Sequence, residues 1–541
     1  LTGERFLSRA WDLIRAQAAP LTALTLWMVA PLAVLIDYAV RHSDTLTGAF
    51  GYDPFDQLAY LAWNRDEGSH VLASNLWQIG ATSHDYLHPM YLISGLLWRA
   101  GLSVQLSYLI WEPIALVILF LGFAAYVSHL LPGRRWSQRA ALVSALFFLT
   151  PALQLAIWTG HLTLVHRLQL LVATNDSDSA LNLWGSAHAA IAIGLMPIFL
   201  VGCERILARG ARGARRWVVG VALAGAAVSW LQPWQGVTLL LILAALFVVR
   251  GPRRRYLSLA VPVTATVLPL LYGEALSRYD PVWRAFDAKT TAGGQIGPWW
   301  ALLVGFGPLV ALAILGVKRP RDDRTWMLML WVPACVAVYL FVPQFPPHAL
   351  KGVTLPLSIL AVSGWENALG RLRARVRVPQ AAAAAVAGLV IAFFTVPAGI
   401  NQFDGADGYT SNTIGGATVR QLVLLSPGQA AALRYLDRSR SPGAVLAPWY
   451  LSMSVPGFTG REVYAGHPMW QPSIHVARAD LFYAPTGTTA VTRRAILRQS
   501  GVRFVIDDCG PPAVADAITP ITRPVARFGC VTVYHYAPQP G

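Results

Sequence analysis

Gly51-Tyr52-Asp53-Pro54-Phe55-Asp56-Gln57-Leu58-Ala59-Tyr60-Leu61-Ala62-Trp63-Asn64-Arg65-Asp66-Glu67 follows the first long apolar run of the chain. Apolar residues at 55, 58, 59, 61 and 62 give it helical periodicity, so it reads as an amphipathic helix lying near a membrane interface. Asp56, Tyr60 and Trp63 share one face, with Asp53 just N-terminal to the helix. Two carboxylates therefore converge. Such a pair can take a proton from an acceptor hydroxyl, or help to hold a divalent cation. A structural reading stands beside this one. Asp53 before Pro54 suits an N-cap, and Asp56 in the first turn suits the helix dipole. Asp66 and Glu67 read as solvated helix-end charges.

Outward from this segment the chain is apolar. Of 541 residues, 55% are hydrophobic and 13% charged, and the mean hydropathy is +0.47. A soluble protein carries roughly 25% charged residues, so the balance excludes disorder, a fibre and an ordinary soluble enzyme. A helix crosses the bilayer core with roughly 20 apolar residues. Candidate spans are 20–40, 104–127, 140–158, 185–208, 217–231, 236–250, 256–275, 299–317, 325–343, 352–369 and 380–398, about eleven in all. The two short ones, 217–231 and 236–250, are joined by Leu231-Gln232-Pro233-Trp234-Gln235-Gly236 and read as tilted or partly re-entrant. The first run lacks a small-residue cleavage site in its flank, so it is expected to be a retained helix.

The net charge of +16 is a matter of topology. Six clusters, beginning at Arg5, Arg134, Arg205, Arg250, Lys318 and Arg371, hold 23 of the 43 basic residues and only five acids, a net of +18. All six fall on one side if the N-terminus is cytoplasmic, as the positive-inside rule requires. An odd number of spans then places the C-terminus outside. No basic face is interleaved with aromatics, so nucleic acid is not an expected partner. Membrane lipids are.

The outer side holds the long loop 41–103, the loops 159–184, 276–298 and 344–351, and the tail 399–541. His84 and His88, four residues apart, have the spacing of a metal pair, although interfacial hydrogen bonding serves them equally. His88 can also line a substrate cleft. Glu112, deep in a span, is expensive there and points either to a polar cavity or to a partner on another helix. Basic residues on this side escape the charge pattern. Arg167, His348 and Lys351 can grip the phosphate of a lipid-linked substrate, pair locally or snorkel to headgroups. Arg278, Arg284 and Lys289 surround Tyr279-Asp280-Pro281, where local pairing is the simpler expectation.

The tail is long enough for an α/β domain. Pro427 to Arg440 reads as a helix capped by Ser426; 489–499 is helical; 444–447, 502–506 and 531–534 are strand-like. Cys509 and Cys530 flank strands and suit a disulfide in an oxidising compartment, with two buried thiols as the alternative. Cys203 and Cys335 lie in spans as packing residues. The turn Thr459-Gly460-Arg461-Glu462-Val463-Tyr464-Ala465-Gly466-His467-Pro468-Met469-Trp470 has aromatic faces and polar edges suited to sugars, and is also compatible with an ordinary strand turn.

This organisation resembles the GT-C superfamily of integral-membrane glycosyltransferases: a first span, an outer loop with acids near its start, many further spans and an extracytoplasmic α/β tail. Asp53-Pro54-Phe55 is similar to the Asp-Pro-aromatic segment of oligosaccharyltransferase catalytic subunits, whose Trp-Trp-Asp-Tyr-Gly motif is absent here. Gly460-Arg461 and Tyr464-Ala465-Gly466-His467 resemble the tails of poorly characterised bacterial members. The resemblance implies a polytopic α-helical membrane protein with a GT-C-like region 1–398 and a C-terminal extracytoplasmic α/β domain 399–541. It implies a hexosyl- or pentosyltransferase that takes a sugar from a polyprenyl-phosphate donor to a glycan or lipid acceptor with inversion. Asp53 or Asp56 would be the base. Tyr60, His88, Glu112, Arg167, His348, Lys351 and His467 would contact substrate. Metal use is left open, with Mg2+, Mn2+ or Ca2+ compatible. The Ala/Arg-rich, Lys-poor composition suggests a bacterial inner membrane. Other envelope transferases (a glycan ligase or acyltransferase), a lipid-linked substrate transporter or flippase, and a scaffold are the alternatives. A transporter would show internal repeats with matching broken helices, and none is evident.

Overall fold

The computed structural model describes residues 3–51, 53–80, 82–148, 175–213, 215–251, 254–293, 299–407, 413–414 and 417–537. Most of them are helical. Among the described residues, seven helices are long and apolar enough to cross a membrane: Ala18–His42, Val104–Leu130, Ala187–Gly210, Pro233–Arg250, Arg255–Tyr279, Trp299–Gly316 and Asp323–Phe341. Helices also occupy Arg135–Phe147, Arg215–Leu231, Thr354–Arg373 and Gln380–Asp407. The rest of the expected span 140–158, and Arg167, lie outside the described residues. The helices Arg215–Leu231 and Pro233–Arg250 meet at the single residue Gln232. Pro233 supplies no amide proton and suits the first turn of the second helix.

The chain folds as two compact units, each assembled from separated stretches. One comprises Leu1–Ala30, Glu112–Ala275 and Thr290–Gly405; the other Pro31–Trp111, Leu276–Lys289 and Ala406–Gly541.

In the first unit, helices pack through small residues, as expected where apolar surface alone gives no preference for helix over lipid. Helices Trp299–Gly316 and Thr354–Arg373 cross at Gly316 and Gly364, where a Cβ on either would meet a carbonyl oxygen at 1.9 Å. Basic clusters are tied by acids near helix ends. Asp323 receives Arg250 Nε at 3.0 Å and Arg255 Nη2 at 3.0 Å, and Glu204 meets His129 at 2.7 Å.

The second unit unites the first outer loop with the tail. Thr45–Leu46 pairs antiparallel with Leu424–Leu425. A four-stranded mixed sheet runs in the order Val445–Leu446, Phe504–Asp508, Val531–Tyr536, Thr522–Phe528, with the first pair parallel and the others antiparallel. Its core is Tyr464, Phe482, Leu497, Val505, Ile518 and Tyr534 with their neighbours. The helix Pro427–Arg438 is closed by a capping box of Ser426 and Gln429. Cys509 and Cys530 form a disulfide.

The helix Pro54–His70 is enclosed on most sides. It crosses the helix Pro89–Arg99 where Gly68 and Gly95 touch; a Cβ at Gly95 would lie 2.3 Å from the Asn64 carbonyl oxygen. Gly457, from the tail, packs on Leu61 of the same helix.

Candidate functional site

Asp53 does not cap the helix that follows it. Its backbone is left-handed (φ 59°, ψ 67°) and its side chain makes no capping bond, a conformation that costs a non-glycine residue about 1 kcal/mol or more. Buried Gln57 imposes it. The Gln57 amide accepts from Phe50 N at 3.0 Å and donates to the Phe50 carbonyl at 2.6 Å and the Asp53 carbonyl at 3.3 Å.

Asp56 sits one turn into the helix with its carboxylate 48% exposed, whereas its partner His467 is 3% exposed. His467 Nδ1 accepts from the Met469 amide at 3.2 Å. The proton of the neutral ring is therefore on Nε2, which donates to Asp56 Oδ1 at 3.2 Å. Among the described residues, the hydrogen bond to His467 is made through Oδ1 and not Oδ2.

Several groups hold the loop that carries His467. Lys289 donates to the carbonyls of Pro468, Met469 and Gln471. The Gln471 side chain accepts from Gly466 N at 2.8 Å, and Trp449 Nε1 donates to the Gly466 carbonyl at 2.9 Å. Gly466 lies so close to the Trp77 ring that a Cβ would be 2.6 Å from it. Arg461, in the same turn, donates to four carbonyls, those of Leu436, Ser439, Ser441 and Gly443, and so ends the helix Pro427–Arg438.

Below Asp56 the helix is aromatic. Tyr60 stacks on Tyr91 at 5.2 Å, and Tyr91 on His88 at 3.9 Å. Burial, followed by the charge of Asp56, holds the Tyr60 phenol well above its ordinary range. Burial pushes His88 down to about 3, so the ring is neutral. Glu67 is fully buried, accepts from His88 N at 2.8 Å and is pushed up to about 9 by its burial. Asp66 is buried too. Neither acid is the solvated helix-end charge expected from sequence.

His84 and His88 do not form the metal pair that their spacing allowed, because residues 82–88 are not helical. His84 instead joins Asp66 and His70, and the ligand atoms of the three lie within 4.8 Å of one another. Beside them lies a shallow depression whose lining includes Trp63, Tyr86, Trp283, Trp470, Asp85 and Asp280. Trp470 stacks on Phe286 at 4.0 Å and meets Trp283 and Trp63 edge-on at 4.9 and 5.2 Å. Burial, then the nearby Asp280 carboxylate, raises Asp85.

In the other unit, Asp176 collects two of the expected basic residues. His348 Nδ1 lies 2.9 Å from Asp176 Oδ2, and Lys351 Nζ 3.5 Å from Oδ1. Burial alone would raise Asp176, but Lys351 and His348 outweigh it and hold the carboxyl below its usual range. The short helix Pro346–Leu350 positions both bases. The Gln235 amide donates to the His348 carbonyl at 2.7 Å, and Trp234 meets the His348 ring edge-on at 4.8 Å. Two residues on, Asp178 accepts from Ala180 N at 3.0 Å and Leu181 N at 3.3 Å, yet burial pushes it up to about 7. Glu112 belongs to this unit as well; both its oxygens are buried with no hydrogen-bond partner among the described residues.

The chain shares its fold with solved structures at 12–16% identity, and it is a multi-pass membrane protein by the length and apolar composition of its helices. Three solved structures carry the comparison. ArnT from Cupriavidus metallidurans, bound to undecaprenyl phosphate, matches with a TM-score of 0.51 at 14% identity, over 96% of this chain and 99% of that one. The arabinofuranosyltransferase AftD from Mycobacteria matches with a TM-score of 0.56 at 16% identity, over 98% of this chain but 40% of AftD. The oligosaccharyltransferase AglB from Archaeoglobus fulgidus, in complex with an inhibitory peptide and a dolichol-phosphate, matches with a TM-score of 0.50 at 12% identity, over 91% and 69%. No protein-family model and no curated relative matches the chain.

Proposed function

We propose that the chain is a membrane glycosyltransferase that moves a sugar from a polyprenyl-phosphate-linked donor to a hydroxyl of a glycan or lipid acceptor, outside the cytoplasm and with inversion. The observation that carries this is the exposed Asp56 carboxylate aimed by a buried imidazole, on a chain with the GT-C fold. Asp56 Oδ2 takes the proton of the acceptor hydroxyl as its oxygen attacks the anomeric carbon. The bond from that carbon to the phosphate oxygen breaks, and the lipid phosphate leaves with the electron pair. Asp56 ends as a carboxylic acid, its orientation kept by His467. Asp53 supplies a second negative group at the head of the helix, and its left-handed backbone is the kind of strain that functional sites hold.

In the other unit, His348 and Lys351 are proposed as groups able to bind the phosphate of a lipid-linked substrate. The rim of the depression, with the partly exposed Tyr86, Trp283 and Asp85, is proposed to meet a sugar of the acceptor, aromatic and carboxylate groups being those that glycans use. Tyr60, His88 and Glu112 are proposed as supporting walls of substrate sites. The Arg clusters place the N-terminus in the cytoplasm of a bacterial inner membrane in this proposal.

The test is sugar transfer by the purified chain in detergent, from a panel of polyprenyl-phosphate sugars to a membrane-glycan extract, reading the free polyprenyl phosphate formed. Release that needs both donor and acceptor is expected. Donor that stays intact throughout, while moving across vesicle membranes, would favour a transporter.

A further inference from the structure

We propose that Asp66, His70 and His84 bind one zinc ion, which fastens the loop 71–88 to the helix Pro54–His70. None of the three has a part in the transfer chemistry above, so the site stands or falls independently of it.

The set is built from two places in the chain. Asp66 and His70 are one turn apart on the helix, with His70 Nδ1 2.8 Å from Asp66 Oδ1. The loop returns His84 to the same oxygen, with Nε2 at 3.6 Å, and the two imidazole centroids are 4.3 Å apart. The return is enforced by the backbone: Ala73 and Tyr86 exchange hydrogen bonds, Ala73 N to the Tyr86 carbonyl at 2.7 Å and Tyr86 N to the Ala73 carbonyl at 3.2 Å. Asp66 is itself held. Its second oxygen accepts from Ser74 N at 2.7 Å and Ser74 Oγ at 2.9 Å. That leaves Oδ1 as the ligand atom and fixes its direction, the outer support that metal-bound carboxylates have.

Two nitrogens and one carboxylate oxygen favour zinc over magnesium or calcium, which take oxygen ligands. With bonds of ~2.0–2.1 Å, the edge of a tetrahedral zinc site is ~3.3 Å. The two contacts to Asp66, 2.8 and 3.6 Å, bracket it, and with all three ligand atoms within 4.8 Å of one another the two imidazoles close the set by turning towards each other. Asp66 is 6% exposed, His70 53% and His84 42%, which leaves a solvent-facing fourth position for water. The consequence reaches the depression. Ser74, Ser83, Asp85 and Tyr86, all on the fastened loop, line it, so the ion would set the shape of that wall.

Co2+ serves as the probe on the chelator-stripped full chain in detergent. One equivalent should produce visible d–d absorption that Zn2+ displaces. His70→Ala and His84→Ala should each abolish the absorption while melting like the stripped wild type; His42→Ala should retain it. Ser74→Ala, which removes one of the two bonds to Asp66, should weaken binding ~10-fold, the low end for such supporting groups. Zn2+ should slow backbone hydrogen exchange across 74–86 in the wild type only. Co2+ spectra equal in wild type and both histidine variants would overturn the site. So would absence of any Zn2+ effect on exchange in the wild type, a reading that needs no variant to fold.

Discussion

Two centres in this protein pair an aspartate with a histidine, and they are built in opposite senses. At Asp56 the imidazole is buried and the carboxylate half exposed. The histidine acts as a fixed donor to one carboxylate oxygen. At Asp176 a single carboxylate receives both His348 and a buried Lys351. There the acid is used up and any surplus is positive. In the proposed function the same residue types give a base in one place and an anion-binding group in the other. What decides between them is which partner is buried and how many cations share the acid.

The sharpest way to break this contrast is to neutralise Asp56. Asp56→Asn should lower the transfer rate by ~10²–10⁴-fold with an unchanged melting temperature, since the side chain is half exposed. Next comes Lys351→Gln. Removing one partner of a buried pair leaves the other charge uncompensated, and should cost about 3 kcal/mol of stability, together with a higher KM for the donor. Asp176→Asn tests the same centre from the other side and should raise affinity for inorganic phosphate, because both bases lose their internal anion. His467→Ala should be milder. The base survives but swings free, so kcat should fall ~10–100-fold with little change in KM; an equal fall in Asp56→Asn and His467→Ala at unchanged pH profile would instead make the pair one inseparable unit.

A pH effect rather than a rate effect concerns Asp178, which lies two residues from Asp176 and has no basic partner among the described residues. Its carboxyl is pushed up to about 7 in the folded chain, whereas in the unfolded chain it ionises near ~3.9. The native state therefore binds the extra proton, and stability should fall as pH rises from ~4 to 7 and level off above that. Asp178→Asn should flatten that stretch of a melting-temperature profile in detergent. Asp176, held below its usual range, has the opposite sign: its contribution is complete above the unfolded value and is lost as pH falls through the folded one.

The membrane architecture was legible in the sequence because its determinants are local: apolar runs of bilayer length, arginines between them, and turn residues such as Ser426-Pro427 at a helix start. Three of the tail's strands were legible from alternation for the same reason, whereas Thr522–Phe528 was not, since Arg523, Pro524 and Arg527 break its apolar alternation. The site was legible only in part. Asp56 could be singled out from its helix, but its partner stands 411 residues away, and no spacing rule reaches that far. Asp66 and Glu67 looked solvated because their neighbours in sequence are polar. The bonds that bury them come from Ser74 and the His88 amide, brought in by the loop's return. Asp53 looked like an N-cap because Pro54 follows; Gln57 overrides that preference by tying down the Phe50 backbone and the Asp53 carbonyl. Lys289 could not be assigned from its neighbours in sequence, and it secures the His467 loop.

The most direct measurement is the single-turnover rate of sugar transfer, from whichever donor the panel identifies, for wild type, Asp53→Asn and Asp56→Asn, each checked for its melting temperature. A fall of ~10²-fold or more in Asp56→Asn, with a smaller fall in Asp53→Asn and both variants folded, is the expected result. Wild-type rates in a folded Asp56→Asn would contradict the assignment of the base and move the chemistry away from the His467-held carboxylate.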